Sequence, residues 1–285
     1  MSNSGLRSER NRAPRPRLSA LGVLGELLVT AGLFTFAFLG WQLWLNDIIL
    51  GSAQRDQALM LSEKFLNAAS PEKPGSATKV SVSPSPSSFD SGALGAGSSG
   101  AGSVGDAGMT AGHPGSAMTT AVAGSDQKFA NVYIPRFGDD YVRTIAEGVD
   151  TGVALRSGIG HYPGTQMPGE IGNFALAAHR TTFGAPFNRM ASLQLGDRIY
   201  VQTASGWYTY VFRSMEYVQP RDVAVTAPVP QRAGLAAQDR ILTMTSCNPQ
   251  LSAAERIVAY SVFDSWQSLT AGAPAPVRAL AEGRN

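Results

Sequence analysis

The chain has 285 residues, of which 44% are hydrophobic and 15% are charged, and it contains 31 glycines. This composition is typical of globular parts joined to simpler sequence. The net charge of +2 is too small to indicate a nucleic-acid partner, and the single cysteine excludes an internal disulfide or a zinc site built from several cysteines.

An apolar run near the N-terminus predicts a helix that crosses a membrane. Residues 1–20 form a basic tail with five arginines and one glutamate, and residues 21–50 are long enough to span a bilayer. The positive charge before the run predicts a single-pass anchor with a cytoplasmic N-terminus and the rest of the chain outside the cell. A cleaved signal peptide is the alternative, because residues 51–53 resemble a cleavage site, although the apolar run is longer than a usual signal sequence.

A segment of low complexity follows the apolar run. Residues 51–127 begin with a predicted juxtamembrane helix, at about 54–69, and continue in Gly, Ser, Ala and Pro with almost no aromatic residues. Such a sequence cannot bury enough apolar surface to offset the entropy lost on ordering. We therefore predict a flexible, disordered linker that holds a C-terminal domain away from the membrane.

The pattern changes to short strands from residue 128 onward. Apolar runs separated by Gly and Pro recur at strand-like spacing, and only residues 151–157 and 186–193 have helical patterns. The Ser-Gly pair at 205–206 indicates a β-hairpin turn. Residues 128–268 are therefore predicted to form a mainly β domain, one small closed barrel, with residues 269–285 as a C-terminal tail.

The only cysteine, Cys247, follows a β-branched run at residues 241–245, and Pro249 ends the strand pattern. A side chain at the end of a strand is held rigidly at the mouth of a sheet, which is a good position for a nucleophile. A lone cysteine is more often a small buried apolar residue, and that alternative stays open. A free thiol outside the membrane risks oxidation, however, which favours a chemical role.

A histidine and an arginine stand where they would complete a thiol acyl-transfer site. His179 follows a predicted strand, and Arg256 opens the strand after Cys247. If the last two strands pair in antiparallel fashion, the guanidinium returns to the sulfur's end of the sheet. The thiolate would attack a carbonyl, the imidazolium would protonate the leaving amine, and the arginine would stabilise the charge on the oxygen. Taken singly, such a histidine or arginine is more often structural.

These residues also resemble the motifs of the sortase family. Residues 173–180 (Asn-Phe-Ala-Leu-Ala-Ala-His-Arg) resemble the sortase strand that carries the catalytic histidine. Residues 243–247 (Thr-Met-Thr-Ser-Cys), followed by Arg256, resemble the signature Thr-Leu-x-Thr-Cys with its distal arginine. Residues 161–165 and 167–170 resemble the segment upstream of that histidine in class E sortases of high-GC Gram-positive bacteria. Methionine replaces the usual leucine and serine the usual threonine, so the subclass is less defined than the chemistry.

The resemblance implies an eight-stranded barrel and a membrane-anchored cysteine transpeptidase of the cell surface that needs no cofactor. Cys247 would cleave a Leu-Pro-x-Thr-Gly or Leu-Ala-x-Thr-Gly sorting signal between Thr and Gly and form a thioacyl enzyme. His179 would act as general acid and then as base, and Arg256 would position the threonine and stabilise the oxyanion. The implied partners are surface proteins with a C-terminal sorting signal and a peptidoglycan precursor whose amine is the acceptor. Class E relatives favour Ala at the second position of the signal.

Three further residues are candidate substrate-binding groups. His161, predicted in a loop, would line the substrate groove, although a loop histidine is as often structural. Thr245 and Ser246 flank the thiol, and one of their hydroxyls or backbone amides would contribute to an oxyanion hole. The carboxylates show no spacing that indicates a calcium loop, so no metal is predicted.

Three other functions stay open. A pilin-polymerising sortase uses the same residues, but residues 70–131 lack the Asp-Pro-aromatic lid that such enzymes often carry, which favours a housekeeping role. A thiol peptidase would transfer the acyl group to water. A non-catalytic β-barrel binding module tethered to the membrane would keep Cys247 in its core.

Overall fold

The computed structural model describes residues 19–41, 46–69, 124–150 and 153–283. Within these residues the chain forms two long N-terminal helices and a closed β-barrel with short helical segments. Most of the predicted basic tail, most of the predicted linker and His113 lie outside the described residues.

Helix α1 (Ala20–Gly40) is the one described helix that is long and apolar enough to cross a membrane. Its mean hydropathy is 1.8, and none of its residues is buried against the protein. Large apolar side chains such as Leu21 and Phe36 are 81% and 78% exposed. A helix with this surface is suited to a lipid environment, because its backbone groups are paired internally and its side chains are apolar.

Helix α2 (Asn46–Ala69) lies against the outside of the barrel. Ala58 is fully buried, and its carbonyl oxygen accepts a hydrogen bond of 2.8 Å from Nδ2 of Asn131 in the first strand. Phe65, two turns further along the helix, is also buried. The helix predicted at about 54–69 is therefore present, but it begins earlier, at Asn46, and it is docked on the barrel.

Eight strands close into a barrel, as predicted. In chain order they are β1 (Lys128–Tyr133), β2 (Val142–Glu147), β3 (Ile159–His161), β4 (Gly172–Ala178), β5 (Arg198–Thr203), β6 (Gly206–Val218), β7 (Arg240–Asn248) and β8 (Glu255–Gln267). Around the barrel the order is β1-β2-β3-β4-β7-β8-β6-β5. The pairs β2–β3 and β4–β7 are parallel and the other pairs are antiparallel. The C-terminal ends of β4 and β7 therefore meet at one rim.

The helices of the barrel domain are short. Helix α3 (Ala154–Ser157) and a 3₁₀ turn (Met190–Ser192) each occupy part of a predicted helical pattern. The predicted hairpin is confirmed, because Gly206 follows the turn between β5 and β6 and pairs with Thr203. Its φ is 153°, and a Cβ there would lie 2.5 Å from the carbonyl oxygen of Gln267, so glycine is required.

The barrel interior is apolar and holds the two parallel strands in place. Phe174 and Leu176 of β4 and Leu242 of β7 are buried in it. Each such side chain contributes about 1.5–3 kcal/mol when it is fully buried. This packing fixes the strands whose ends lead to His179 and Cys247.

A second apolar layer lies on the outside of the barrel, where α2 and the C-terminal segment pack on the strands. Trp207 of β6 is fully buried there, together with Val277 and Leu280. Residues 269–283 form two 3₁₀ turns and helix α4 (Arg278–Ala281). The segment predicted as a tail is thus packed against the barrel over its described length.

Candidate active site

Cys247 lies at the penultimate position of β7, with a half-buried free thiol. Its partner in the antiparallel β7–β8 ladder is Arg256. Directly paired residues of neighbouring strands project from the same face of the sheet, with Cβ atoms about 4.5–5.5 Å apart. The prediction that strand pairing returns the arginine to the sulfur's end of the sheet is therefore confirmed.

The guanidinium group of Arg256 keeps its charge available at this face. Its Nη1 donates to the carbonyl oxygens of Ala253 (3.1 Å) and Glu255 (3.0 Å). Within the described ranges no carboxylate forms an ion pair with it. Neutral carbonyls orient the group without neutralising it, so it can stabilise negative charge that develops on a nearby oxygen.

His179 lies just beyond the end of β4, the parallel neighbour of β7. The last register pair of the two strands is Ala177 with Thr245, so His179 and Cys247 each lie two residues beyond it, at the same rim. The Nε2 atom of His179 is buried and has no hydrogen-bond partner in the described part of the chain. This ring nitrogen is therefore not committed to a protein partner, as proton transfer to a substrate requires.

The surroundings of His179 disfavour its charged form. Burial lowers the pKa of His179 below the usual value for histidine, because the imidazolium loses its contact with water. Asp47, at the start of α2, acts in the opposite direction and raises this pKa, whereas Arg156 lowers it. The ring of Phe183 packs against the imidazole with a centroid distance of 4.8 Å. The protonation of this imidazole is therefore governed mainly by burial and by two nearby charges of opposite sign.

Arg180 links the histidine segment to the cysteine strand, a role that the sequence did not indicate. Arg180 is 6% exposed, and its Nε donates to the carbonyl oxygen of Asn188 (3.0 Å). Its Nη1 donates to the carbonyl oxygen of Cys247 (3.3 Å) and to Oδ1 of Asn248 (3.3 Å). Burial lowers the pKa of Arg180. The side chain thus holds the backbone at the thiol and brings a buried positive charge to the site.

Tyr162 is a second residue that sequence reasoning missed. Its hydroxyl lies 2.9 Å from Oγ1 of Thr245, and that threonine hydroxyl donates to the carbonyl oxygen of Leu176 at 3.2 Å. Because the hydroxyl hydrogen of Thr245 is donated to Leu176, the Tyr162 hydroxyl is the donor to Oγ1 of Thr245. Thr245 is two residues before Cys247 and faces the same side of the strand, so Tyr162 lies over the face that carries the thiol.

Ser246 projects to the opposite side of β7 from Cys247, because successive strand residues alternate in direction. Its side chain is 3% exposed, and its hydroxyl donates to the carbonyl oxygen of Ala178 at 2.7 Å. That hydroxyl therefore forms a hydrogen bond that links β7 to β4. A contribution of Ser246 or Thr245 to an oxyanion hole stays a prediction, and for Ser246 it would have to come from the backbone amide.

The prediction that His161 lies in a loop was wrong. The residue ends strand β3, whereas a loop was expected, and it is 1% exposed. Its Nδ1 contacts Oε2 of buried Glu147 at 2.6 Å, and its Nε2 lies 2.8 Å from Oγ1 of Thr165. A side chain buried in this way lines no groove. It supports the segment that carries Tyr162 from within the barrel.

A cavity of about 430 Å³ adjoins this rim. Its walls include the first turn of α2, the segment after His179 and the segment after Cys247, and we call it the α2 cavity. Its wall includes Asp47, Arg143, Thr181, Arg189, Gln250 and Leu251.

Together the rim offers a thiol nucleophile, an imidazole for proton transfer and guanidinium groups for anion stabilisation. These are the groups that acyl transfer through a thioester needs. Among the described residues, no three His, Cys, Asp or Glu side chains are grouped so that they could hold a metal ion.

Comparison with known proteins assigns the class. The model of the Sortase domain matches residues 132–263, a range that contains His179, Cys247 and Arg256. The structure of sortase E from Streptomyces avermitilis is 36% identical with a TM-score of 0.50, over 54% of this chain and 99% of that one. The chain therefore belongs to the sortase family, whose members are cysteine transpeptidases.

Within the family, the relatives are class E-like. Sortase SrtE1 of Streptomyces coelicolor is 28% identical over 261 residues, which cover 89% of this chain and 60% of that relative. This chain therefore spans less than two thirds of that relative's length. The SrtA sortase from Actinomyces oris is 32% identical with a TM-score of 0.54, over 58% of this chain and 93% of that one.

Proposed function

We propose that this chain is a membrane-anchored extracellular transpeptidase with a housekeeping role. It cleaves a Leu-Pro-x-Thr-Gly or Leu-Ala-x-Thr-Gly sorting signal between Thr and Gly and joins the threonine to an amine of a peptidoglycan precursor. The observation that carries the proposal is one rim of the barrel, where Cys247 pairs with Arg256 across β7–β8 and His179 follows the adjacent β4. The sorting signals come from the family resemblance.

In the first half-reaction, the Cys247 thiolate attacks the carbonyl carbon of the threonine. The oxygen gains negative charge, and the uncompensated guanidinium of Arg256 stabilises it. Protonated His179 gives its proton to the glycine nitrogen, the C–N bond breaks, and a thioester remains on Cys247. Because burial lowers the pKa of His179, the imidazolium releases this proton readily.

In the second half-reaction, an incoming amine attacks the thioester carbonyl. His179 is now neutral and accepts a proton from the amine nitrogen. The new C–N bond forms, the C–S bond breaks, and the thiolate returns beside an imidazolium. The same imidazole therefore serves as acid and as base, and no further proton carrier is required.

Two features support membrane anchoring and an external barrel. Helix α1 is apolar and exposed along its whole length. Five arginines precede it within residues 1–18, a distribution typical of a cytoplasmic N-terminus. A chain with this topology places its barrel on the side where surface proteins and wall precursors meet.

The test uses the full chain in detergent micelles with both signal peptides and triglycine as the amine. Mass spectrometry should detect cleavage at Thr–Gly and an amide product with triglycine, and Cys247→Ala should abolish both. Arg256→Gln should slow cleavage by about 10²–10³-fold, the usual loss when an oxyanion partner is removed. Arg136→Gln is a matched control, because Arg136 is a partly exposed arginine that pairs with Asp197.

The products also separate the alternatives. Cleavage without transfer at saturating triglycine would identify a thiol peptidase. A folded chain that cleaves neither peptide would contradict the proposal. The faster peptide assigns the residue preferred at the second position of the signal.

A further inference from the structure

The α2 cavity is formed in part by the segments that follow His179 and Cys247. Thr181 in its wall is two residues from His179, and Gln250 and Leu251 are three and four residues from Cys247. The residues that would face the sorting signal, Arg256, Tyr162 and Thr245, are not in its wall. Its volume of about 430 Å³ is within the range of small-molecule sites. The wall of the cavity therefore includes chain segments next to both reacting residues and none of the residues proposed to contact the sorting signal.

Two arginines of the cavity carry positive charge that the described protein does not neutralise. Arg143 donates from Nη1 to the carbonyl oxygen of Val142 (2.8 Å), its guanidinium lies 4.9 Å from the centroid of the Tyr141 ring, and its Nε is buried without a partner. Arg189 donates from Nη1 to the carbonyl oxygen of Phe137 (2.7 Å). Neither forms an ion pair within the described ranges. Guanidinium groups in this state are suited to bind a carboxylate or a phosphate.

The same cavity has one carboxylate close to the catalytic imidazole. Oδ1 of Asp47 accepts a hydrogen bond of 3.2 Å from the backbone N–H of Gly184. The carboxylate is near enough to His179 to raise its pKa. It can attract a cationic amine to the place where His179 takes up a proton. The cavity thus offers one group for an amine and two groups for an anion.

The position of α2 relative to α1 fits a ligand at the membrane surface. Only residues 41–45 separate the two helices, and a chain of five residues spans less than about 20 Å. If α1 crosses the bilayer as proposed, its outer end and the first turn of α2 lie close together. That turn contributes Asp47 to the cavity wall, so with this topology the cavity would lie near the lipid headgroups.

We infer that the α2 cavity is the acceptor site and that it takes a primary amine that also carries an anionic group. This inference rests on the proposed function and adds the substrate class of the second half-reaction. Arg143 and Arg189 bind the anionic group, which is a carboxylate or a phosphate of the precursor. Asp47 holds the ammonium form beside His179, and loss of a first proton to water gives the neutral amine that can attack the thioester. His179 accepts the second proton as the C–N bond forms and the C–S bond breaks, which leaves the thiolate.

The experiment is a competition between paired acceptors for the same thioacyl enzyme, with the full chain in detergent micelles. One pair is triglycine with triglycinamide, which lacks the carboxylate, and the other is O-phosphoethanolamine with ethanolamine. The product ratio from an equal mixture equals the ratio of the two kcat/KM values. It does not depend on the amount of active enzyme or on the acylation rate. A variant that folds poorly therefore still gives the correct ratio of the two kcat/KM values.

The wild-type chain should favour the anionic member of at least one pair by about tenfold, the scale of one charge-assisted hydrogen bond. The double variant Arg143→Gln/Arg189→Gln should bring that ratio close to one, and Arg189→Gln alone should lower it. Arg198→Gln, on an exposed ion pair with Asp264 outside the cavity, should keep the wild-type ratio. Raising the salt concentration should lower the preference of the wild type, because ions screen partly exposed charges.

The pair that responds more strongly to the double variant identifies the anionic group as carboxylate or phosphate. Wild-type ratios near one for both pairs, or ratios that the arginine variants leave unchanged, would overturn the inference. The thioester on Cys247 is measured first, without any acceptor. Its absence with every peptide would be a failure of the proposed function, whereas a thioester without charge selectivity would be a failure of the acceptor site alone.

Discussion

Arg180 and His179 are neighbours in sequence, yet they act on different parts of the site. His179 leaves Nε2 without a partner, while Arg180 uses its guanidinium to hold the backbone at Cys247 and the side chain of Asn248. A buried cation with only neutral partners costs folding free energy, which favours a functional reason for its presence. Its contacts indicate that Arg180 positions the thiol relative to the imidazole.

Arg180→Gln should therefore slow formation of the thioacyl enzyme by about tenfold or more with little change in the KM for the peptide, because the side chain contacts backbone and no substrate. Arg180→Lys should retain part of the rate, since it keeps the charge and one donor. Rapid-quench mass spectrometry of the acylation step measures both. A variant that loses only thermal stability, at unchanged acylation rate, would show that Arg180 is purely structural.

The protonation of His179 gives a second prediction at this scale. In a Cys247→Ala background, an NMR titration of His179 should have its midpoint below the usual value of about 6.5, because burial disfavours the imidazolium. Asp47→Asn should lower the midpoint further, since it removes a negative charge. A midpoint at or above the usual value would contradict the assigned cause.

The same shift has a consequence for stability. A group whose pKa is lower in the folded state than in the unfolded state destabilises the fold as it becomes protonated. The free energy of unfolding should therefore decrease as pH falls from about 6.5 towards the folded pKa of His179. His179→Gln should remove this part of the pH dependence.

Sequence reasoning proposed Cys247, His179 and Arg256 because each stands at a strand boundary, which a local pattern reveals. It missed Arg180 and Tyr162 because their partners at the thiol strand are 67 and 83 residues away. Neither contact has a local signal. The buried position of His161 was missed for a similar reason, since a strand of three residues with a central glycine shows no alternation.

At the scale of elements, α2 connects the apolar N-terminal helix to the active site. Gln54 of this helix donates from Nε2 to the carbonyl oxygen of Phe183 at 2.8 Å, and Phe183 packs on His179. Phe65 near the other end of the helix is 8% exposed, in the layer that includes Trp207. The helix therefore spans from the outer apolar layer to the histidine loop. The sequence showed only a weak apolar side for it, because the surface that it covers is formed by distant strands.

Phe65→Ala should lower the free energy of unfolding by about 2–3 kcal/mol and should speed hydrogen exchange of the α2 amides. Met60→Ala is a matched control on the same helix, because Met60 is 69% exposed. Hydrogen exchange followed by mass spectrometry measures both variants. Equal exchange in the two variants would contradict the docked position of α2.

At the scale of the whole molecule, the sequence pattern predicts the barrel, but it does not predict the segments that pack on the outside of the barrel. Strand-like runs separated by Gly and Pro predicted a small closed barrel, and the family resemblance implied its eight strands. The C-terminal segment and α2 were predicted outside the domain, because a few spaced apolar residues such as Leu269, Val277 and Leu280 give no clear pattern. Their burial depends on a partner surface that only the folded barrel creates.

The topology of the chain can be tested through its only thiol. In intact cells, a membrane-impermeant maleimide should label Cys247, and Cys247→Ala should not be labelled. A Cys247→Ala chain with Ser4→Cys is the matched control, since that position should react only after lysis. Labelling of Cys247 only after lysis would contradict an external barrel.

The most direct test of the central claim is the intact mass of the full chain after acid quench during reaction with a sorting-signal peptide. The account predicts a thioester adduct, with the mass of the peptide up to its threonine, on Cys247 in the wild type. Cys247→Ala should form none, and Arg256→Gln and His179→Gln should accumulate it much more slowly than Arg136→Gln. An adduct at another residue, or rapid acylation that is indifferent to His179 and Arg256, would contradict the assignment of these three residues to one active site.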